Sequence, residues 1–370
     1  MLPWGRKKAM AIKDFHEKPY DDGTLTKLRI FEAYTEAWIP VFLSRPKPAF
    51  DQVHIFDFFA GPGGDCAGTY GSPLRILDQL RIYHGQNLAG WTKAKIVVHP
   101  FDENKKKIEQ LAAIIAKPEW QIPGVVVDCR PLEFGDALSE HAKLLENGRA
   151  AKLLIIDQCG VDKVSDKVFH NLISFPTTDF IFFLSSSTLY RFRNHPAIKQ
   201  KIDCPEDSYD VHRAAFNYFQ SLVPANNDVF LGQFSIKKPT GNIYGLIFGS
   251  QHPLGIHKFL QVAWTNDEIR GEANFDIERE NIFPGEMVLP FDELRPSKIK
   301  VFEADLEQIL REGKFRSEAD VLRFCMKAGM TGKFSEPVLK KLKSEGVINL
   351  DFRVPDVGNF YKPRPIGFIG

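Results

Sequence analysis

Four aspartates stand at the ends of short apolar runs that read as strands: Asp57, Asp102, Asp128 and Asp157. A carboxylate at a strand end can accept both hydroxyls of a ribose, orient an N–H or O–H donor, or cap the next helix. Taken singly, each is explained as well by a cap or a solvated loop. Four on one rim are hard to explain by packing. The first is followed by Phe59-Ala60-Gly61-Pro62-Gly63-Gly64. A turn so poor in side chains lets a ligand approach the backbone closely.

The elements that must position these groups follow from hydrophobic period. Segment 24–43 carries Leu25, Leu28, Phe31, Tyr34 and Trp38 at helical spacing, and Pro40 is expected to help end it. Segments 53–59, 95–101, 124–128, 152–157 and 180–184 are continuous apolar runs of strand length. Helical patterns intervene at 72–84, 103–116 and 138–145, with Ser72 as expected N-cap before Pro73. Segment 205–223 reads as helical, and 230–234 with 243–249 as a late strand pair. This alternation predicts an α/β fold with a mostly parallel sheet covered on both faces.

Ligands of such sheets bind beyond the carboxyl ends of the strands. NAD favours G-x-G-x-x-G with pyrophosphate on the helix N-terminus. Here Cys66 stands where the third glycine would fall, and the helix starts only near Ser72. S-adenosylmethionine has no phosphate and needs only an open glycine-rich turn, so it is the preferred cofactor. Asp57, Phe59, Ala60, Gly61, Pro62, Gly63 and Gly64 would line its methionine end. Asp102 would hold ribose, and Asp128 with Cys129 would neighbour adenine.

The loop at 59–64 resembles the first motif of class I methyltransferases, particularly the F-x-G-x-G-G form of DNA cytosine methyltransferases. The order of the Thr26-Lys27 helix, Asp57-Phe58-Phe59-Ala60-Gly61-Pro62-Gly63, Gly71-Ser72-Pro73-Leu74 and a D-x-x-G after the fourth strand is similar to the three-Cys-motif partner family. That resemblance covers roughly residues 13–250. It implies a Rossmann-like class I methyltransferase fold and a partner bearing three clustered cysteines. The family usually has Asp-Pro-Phe-Gly after strand four, where this chain has Asp157-Gln158-Cys159-Gly160. Asp157 and Gln158 would accept hydrogen bonds from the methyl acceptor. The missing proline and aromatic remove a rigid turn and a stacking face. Cys159 and Cys66 read as structural thiols rather than nucleophiles.

Beyond residues 265–296, read as a linker, three helical patterns at 301–312, 317–328 and 335–345 end at Gly313, Gly329 and Gly346. With a short strand or wing at 347–350 they look like a winged helix-turn-helix. Ser335 would cap the third helix. Lys333, Lys340, Lys341 and Lys343 would meet phosphates of DNA or RNA. Segment 297–350 holds eleven Lys/Arg against eight Asp/Glu, only mildly basic. The expected organisation is 1–264 as the cofactor domain with an N-terminal helical extension, then the linker, then 297–370 as a winged-helix domain and tail.

The formal net charge of +1 rules out a global basic field as the basis of binding. Five scattered cysteines without a C-x-x-C pair speak against a zinc site or disulfide framework, and fit a reducing cytoplasm. No apolar run approaches a membrane span and no signal-peptide core is visible. The expectation is a cytoplasmic methyltransferase-like protein acting on nucleic acid, with no metal. The alternatives are a non-catalytic partner that binds cofactor and nucleic acid, and an NAD-dependent oxidoreductase. The aromatic and basic stretch 190–195, His252, His257 and the lysine run 105–107 read as surface or packing groups.

Overall fold

The computed structural model describes residues 15–158, 161–282 and 296–368. Cys159, Gly160, most of the stretch 1–20 and much of the linker (283–295) lie outside them. By compactness, one unit comprises the described residues up to 225 together with 236–246. A second comprises 226–235 and those from 247 onward.

The first unit opens with α1 (Asp22–Leu43) and β1 (Gln52–Asp57), then α2 (Ser72–Gly85), β2 (Lys95–Pro100), α3 (Lys105–Ile115) and β3 (Val125–Val127). It continues through α4 (Phe134–Glu140), α5 (Ala142–Leu145), β4 (Ala150–Ile156), α6 (Asp166–Ser174), β5 (Thr178–Leu184), α7 (Ser186–Arg191), α8 (Pro196–Lys199) and α9 (Val211–Ser221). The hairpin strands β6 (Phe230–Lys237) and β7 (Ile243–Ser250) follow. The seven-stranded sheet has the order β3-β2-β1-β4-β5-β7-β6. β1 lies between β2 and β4 and is parallel to both, with Ile55 opposite Val98 and Leu153. β3 and β5 extend the parallel part. The sheet is mixed and mostly parallel, within an α/β arrangement. Residues 53–57 and 150–156 are buried throughout, as expected of strands covered on both faces.

Three local expectations change. Pro40 does not end α1, which runs on to Leu43. Proline cannot donate to the carbonyl four residues back, and that carbonyl, Glu36 O, instead accepts the Tyr83 hydroxyl at 2.8 Å. The N-cap of α2 is Gly71 rather than Ser72, which sits one position inside the helix and is buried. The helix expected at 138–145 starts at Phe134, where Glu133 accepts from the Gly135 N–H at 2.6 Å, and breaks at His141.

In the second unit α10 (Pro253–Asn266) was not read from the sequence. Its Pro253 and Gly255 look like loop residues, yet proline is well suited to a first helical turn. Then come α11 (Ser297–Arg311), α12 (Glu318–Lys327) and α13 (Glu336–Ser344). Gly313, Gly329 and Gly346 follow them with φ of +64°, +70° and +71°, the left-handed conformation expected of C-terminal caps. β8 (Ile348–Asn349) pairs antiparallel with β9 (Gly367–Phe368). Ser335 does not cap α13 through its side chain; its hydroxyl donates to Gly332 O at 2.7 Å. Leu306, Leu310, Val321, Cys325, Leu339 and Leu342 form the core of these helices. Glu318, fully buried, accepts from the Asp356 N–H at 2.6 Å and from Arg364 Nε at 2.9 Å.

Candidate active site

β1 delivers its last residue, Asp57, fully buried beneath the glycine turn. Its Oδ1 accepts from the Phe59 N–H at 3.3 Å, and Oδ2 is buried without a hydrogen-bond partner. Burial pushes its carboxyl up to about 7, with the charges of Asp157 and Asp102 adding to the effect against the polar groups of Ser72 and Phe59. Desolvation of a carboxylate disfavours its charged form.

The turn is held by backbone bonds. Ala60 N–H donates to Phe101 O at 2.9 Å, and Gly71 N–H to Gly63 O at 2.8 Å. Gly61 N–H donates to Asp102 Oδ2 at 3.1 Å, while Oδ1 accepts from Asn104 N–H at 2.8 Å. Gly61 and Gly63 have φ of +61° and +98°, which L side chains rarely adopt. A Cβ at Gly63 would meet Leu111 at 3.1 Å, and one at Gly61 would lie 2.7 Å from the His16 imidazole. The space beside Gly61 is therefore walled by the segment before α1. His16 Nδ1 lies 2.9 Å from the Tyr20 hydroxyl, and Tyr20 N–H donates to Asp65 Oδ2 at 2.7 Å. Burial, then Asp65 and Asp157, push the Tyr20 phenol well up.

At the end of β4, Asp157 is ion-paired with Lys27 of α1. The Lys27 ammonium lies 4.7 Å from the Phe183 ring centroid, and that ring stacks on Tyr244 at 5.4 Å. Lys238 lies 5.2 Å from the Tyr244 ring and 3.2 Å from Asp21. Two carboxylates, two ammonium groups and two aromatic rings thus gather near the ends of β4, β5 and β7.

The other expected residues divide. Asp57, Asp102 and Asp157 come together around the turn. Phe59 packs on Phe134, Ala60 is buried, and Pro62 and Gly64 are half-buried. Gln158 is buried: its amide donates to Phe183 O at 3.0 Å, and its oxygen accepts from Lys163 N–H at 2.9 Å. With both ends committed to backbone it braces β4 against β5. Asp128 is gripped by Arg130 through Nε at 2.7 Å and Nη2 at 2.8 Å. Cys129 Sγ lies 4.0 Å from Ile108 O, and burial, then Asp128, push its thiol up to about 11, so it is an unreactive lining group.

Sequence reasoning missed His16 and Tyr20, and assigned no role to Lys27. Lys27 and Asp157 are 130 residues apart, and no spacing pattern joins them. It also missed that His99, Asp128 and His141 converge. Burial pushes His54 down to about 4 and His99 down to about 3, so both imidazoles are neutral at pH 7. In the second unit, Lys341 pairs with Glu307 at 2.9 Å and Lys343 donates to Leu350 O at 2.7 Å, while Lys333 and Lys340 are exposed.

No family model matches the chain, and no curated protein matches it. Among solved structures, an rRNA methylase from Streptococcus thermophilus is similar at 8% identity and TM-score 0.32, over 61% of this chain and 95% of that one. An O-methyltransferase involved in tomaymycin synthesis, from Streptomyces achromogenes in complex with SAM, shows 12% identity and TM-score 0.32 over 62% and 89%. A 16S rRNA (adenine(1408)-N(1))-methyltransferase from Catenulisporales acidiphilia shows 11% identity and TM-score 0.27 over 60% and 90%. Overlap this limited carries nothing over to individual residues. No helix among the described residues is long and apolar enough to cross a membrane.

Proposed function

We propose that the chain is an S-adenosylmethionine-dependent methyltransferase acting on nucleic acid, and a relative of the three-Cys-motif partner family. The observation that carries this reading is the convergence of Asp57, Asp102 and Asp157 on one glycine turn, with a buried acceptor on Asp57 that lacks a donor. The group fits these residues. It brings an ammonium and ribose hydroxyls as donors, no phosphate, and a methyl group already activated on sulfonium. Gly61 and Gly63 would admit its methionine end, Asp102 would hold ribose, and Asp128 and Cys129 would flank the adenine side. Asp157, held by Lys27, would accept a hydrogen bond from the acceptor N–H or O–H and aim its lone pair. Half-buried Tyr244 would supply a face for a base, and the His16–Tyr20 segment would limit water. Rate would come mainly from positioning.

In this reading the partition is a cofactor domain to residue 264, a linker to 296 and a winged helix over 297–370. The helices α11 to α13 and the β8–β9 pair support the winged helix, with Lys333 and Lys340 as phosphate contacts and Lys341 and Lys343 beside them. A protein bearing three cysteines is the partner implied by the resemblance. Calorimetry with S-adenosylmethionine and with NAD tests the cofactor: micromolar binding of the first alone is expected. Mass spectrometry of DNA and RNA incubated with methyl-labelled cofactor tests transfer, with Asp157→Ala as control. The second reading, a non-catalytic cofactor-binding partner, is favoured by the engagement of both Asp157 and Gln158 within the protein. Tight cofactor binding without label on any nucleic acid or protein would select it.

A further inference from the structure

Two imidazoles and a carboxylate converge where β2, the end of β3 and the break between α4 and α5 meet. His99 Nδ1 lies 3.3 Å from Asp128 Oδ2, and His141 Nε2 lies 3.9 Å from the same oxygen. The three atoms all lie within 4.8 Å of one another. His99 is buried, and Asp128 keeps 29% of its side chain exposed, enough for an ion to enter.

Bonds on the far side of each ring decide what the near side offers. His141 Nδ1 lies 2.9 Å from Ala137 O. A carbonyl only accepts, so Nδ1 carries a proton, and Nε2 is the ring nitrogen that faces Asp128. His99 Nε2 lies 2.9 Å from His54 Nδ1, and His54 Nε2 lies 3.0 Å from Gln52 Oε1. With Gln52 oxygen as acceptor, His54 donates from Nε2 and accepts at Nδ1 from the His99 Nε2–H. His99 Nδ1 is then a lone pair facing the carboxylate. With both of these nitrogens unprotonated, three acceptors face one another, an arrangement that a cation among them stabilises.

The geometry points to a divalent zinc-class ion held by His99 Nδ1, His141 Nε2 and Asp128 Oδ2, with water as fourth ligand. Two ligands at ~2.0–2.1 Å from a tetrahedral ion sit about 3.3–3.4 Å apart, close to the His99–Asp128 spacing. Imidazole with carboxylate suits zinc, whereas calcium and magnesium want oxygen alone. Each ligating ring has its other nitrogen bonded, to Ala137 O or to His54, as metal-bound histidines do. Arg130 uses one lone pair on each Asp128 oxygen, and its charge is offset by Glu140 at 2.6 Å. The ion would pin the α4–α5 break to β2 and β3.

The full chain, stripped with chelator, is titrated with Zn²⁺ by calorimetry and with Co²⁺ by visible absorption. One saturable equivalent and the intense visible bands of tetrahedral cobalt are expected. His141→Gln and Asp128→Asn should each weaken uptake at least 100-fold, with folding checked by circular dichroism, whereas Cys129→Ser should leave it unchanged. Absence of saturable uptake overturns the site. So does uptake unchanged in both ligand variants. A proton on His99 Nδ1 in the nitrogen NMR spectrum of zinc-treated protein would show a rotated Gln52 amide and an ordinary His–Asp hydrogen bond, and overturns it too.

Discussion

The carboxylate of Asp102 accepts a hydrogen bond from the Gly61 N–H at 3.1 Å, so the residue expected to hold ribose also holds the glycine turn. The turn and the second strand end are therefore one device. Gly61→Ala puts a side chain where φ is +61° and His16 is in the way. A cost of about 1–2 kcal/mol in stability is expected from the backbone alone. Cofactor affinity should fall at least tenfold, read by calorimetry on variant protein that still melts cooperatively.

Asp57 gives a pH signature. Its folded carboxyl titrates at about 7 against 3.8 for the free group, so between those values the folded state binds more protons than the unfolded one. Stability from this group is then highest at acid pH and falls as pH rises from 3.8 to about 7. Asp57→Asn should remove that slope and gain stability over the parent at pH 8. Chemical denaturation at pH 4, 6 and 8 checks it; a parallel pH profile in the variant contradicts it.

Lys27 and Asp157 should behave as a unit. Lys27→Met leaves a half-buried carboxylate without its partner, and Asp157→Asn leaves the ammonium. Each should lower methyl transfer more than tenfold with cofactor affinity little changed. The double variant should be no worse than the poorer single one, a coupling of about 1–3 kcal/mol. Full additivity of the two losses would separate them.

Glu318 is a stability test in the second unit. Glu318→Ala leaves the Asp356 N–H without its acceptor while the partly exposed Arg364 turns to water, so it should cost about 1–3 kcal/mol. Thermal unfolding followed by circular dichroism reads it. A change within error would mean that water replaces the carboxylate at no cost.

Lys333 and Lys340 separate from Lys343. On the proposed function, replacing the two exposed lysines with Glu should weaken nucleic-acid binding uniformly across sequences. It should also reduce the slope of log affinity against log salt by about one per lysine. Lys343→Glu should instead lower stability, because that ammonium satisfies Leu350 O. Anisotropy titrations at several salt concentrations distinguish the two effects.

The layered α/β plan and the glycine turn were legible because they rest on local rules: apolar runs of strand length, helical period, and glycine where φ must be positive. The three glycine caps of α11 to α13 were readable for the same reason. What lay beyond the sequence depended on direction and long-range approach. Gln158 and Asp157 are adjacent, yet Asp157 pairs with Lys27 of α1 while Gln158 is buried in backbone bonds. Asp128 bends toward His99 and Arg130 while its neighbour Cys129 lies against Ile108. Lys27 reaches Asp157 only because α1 packs beside the strand ends. A sequence fixes which groups are available and their local geometry; which groups meet is decided when distant segments compete for the same buried space and polar partners.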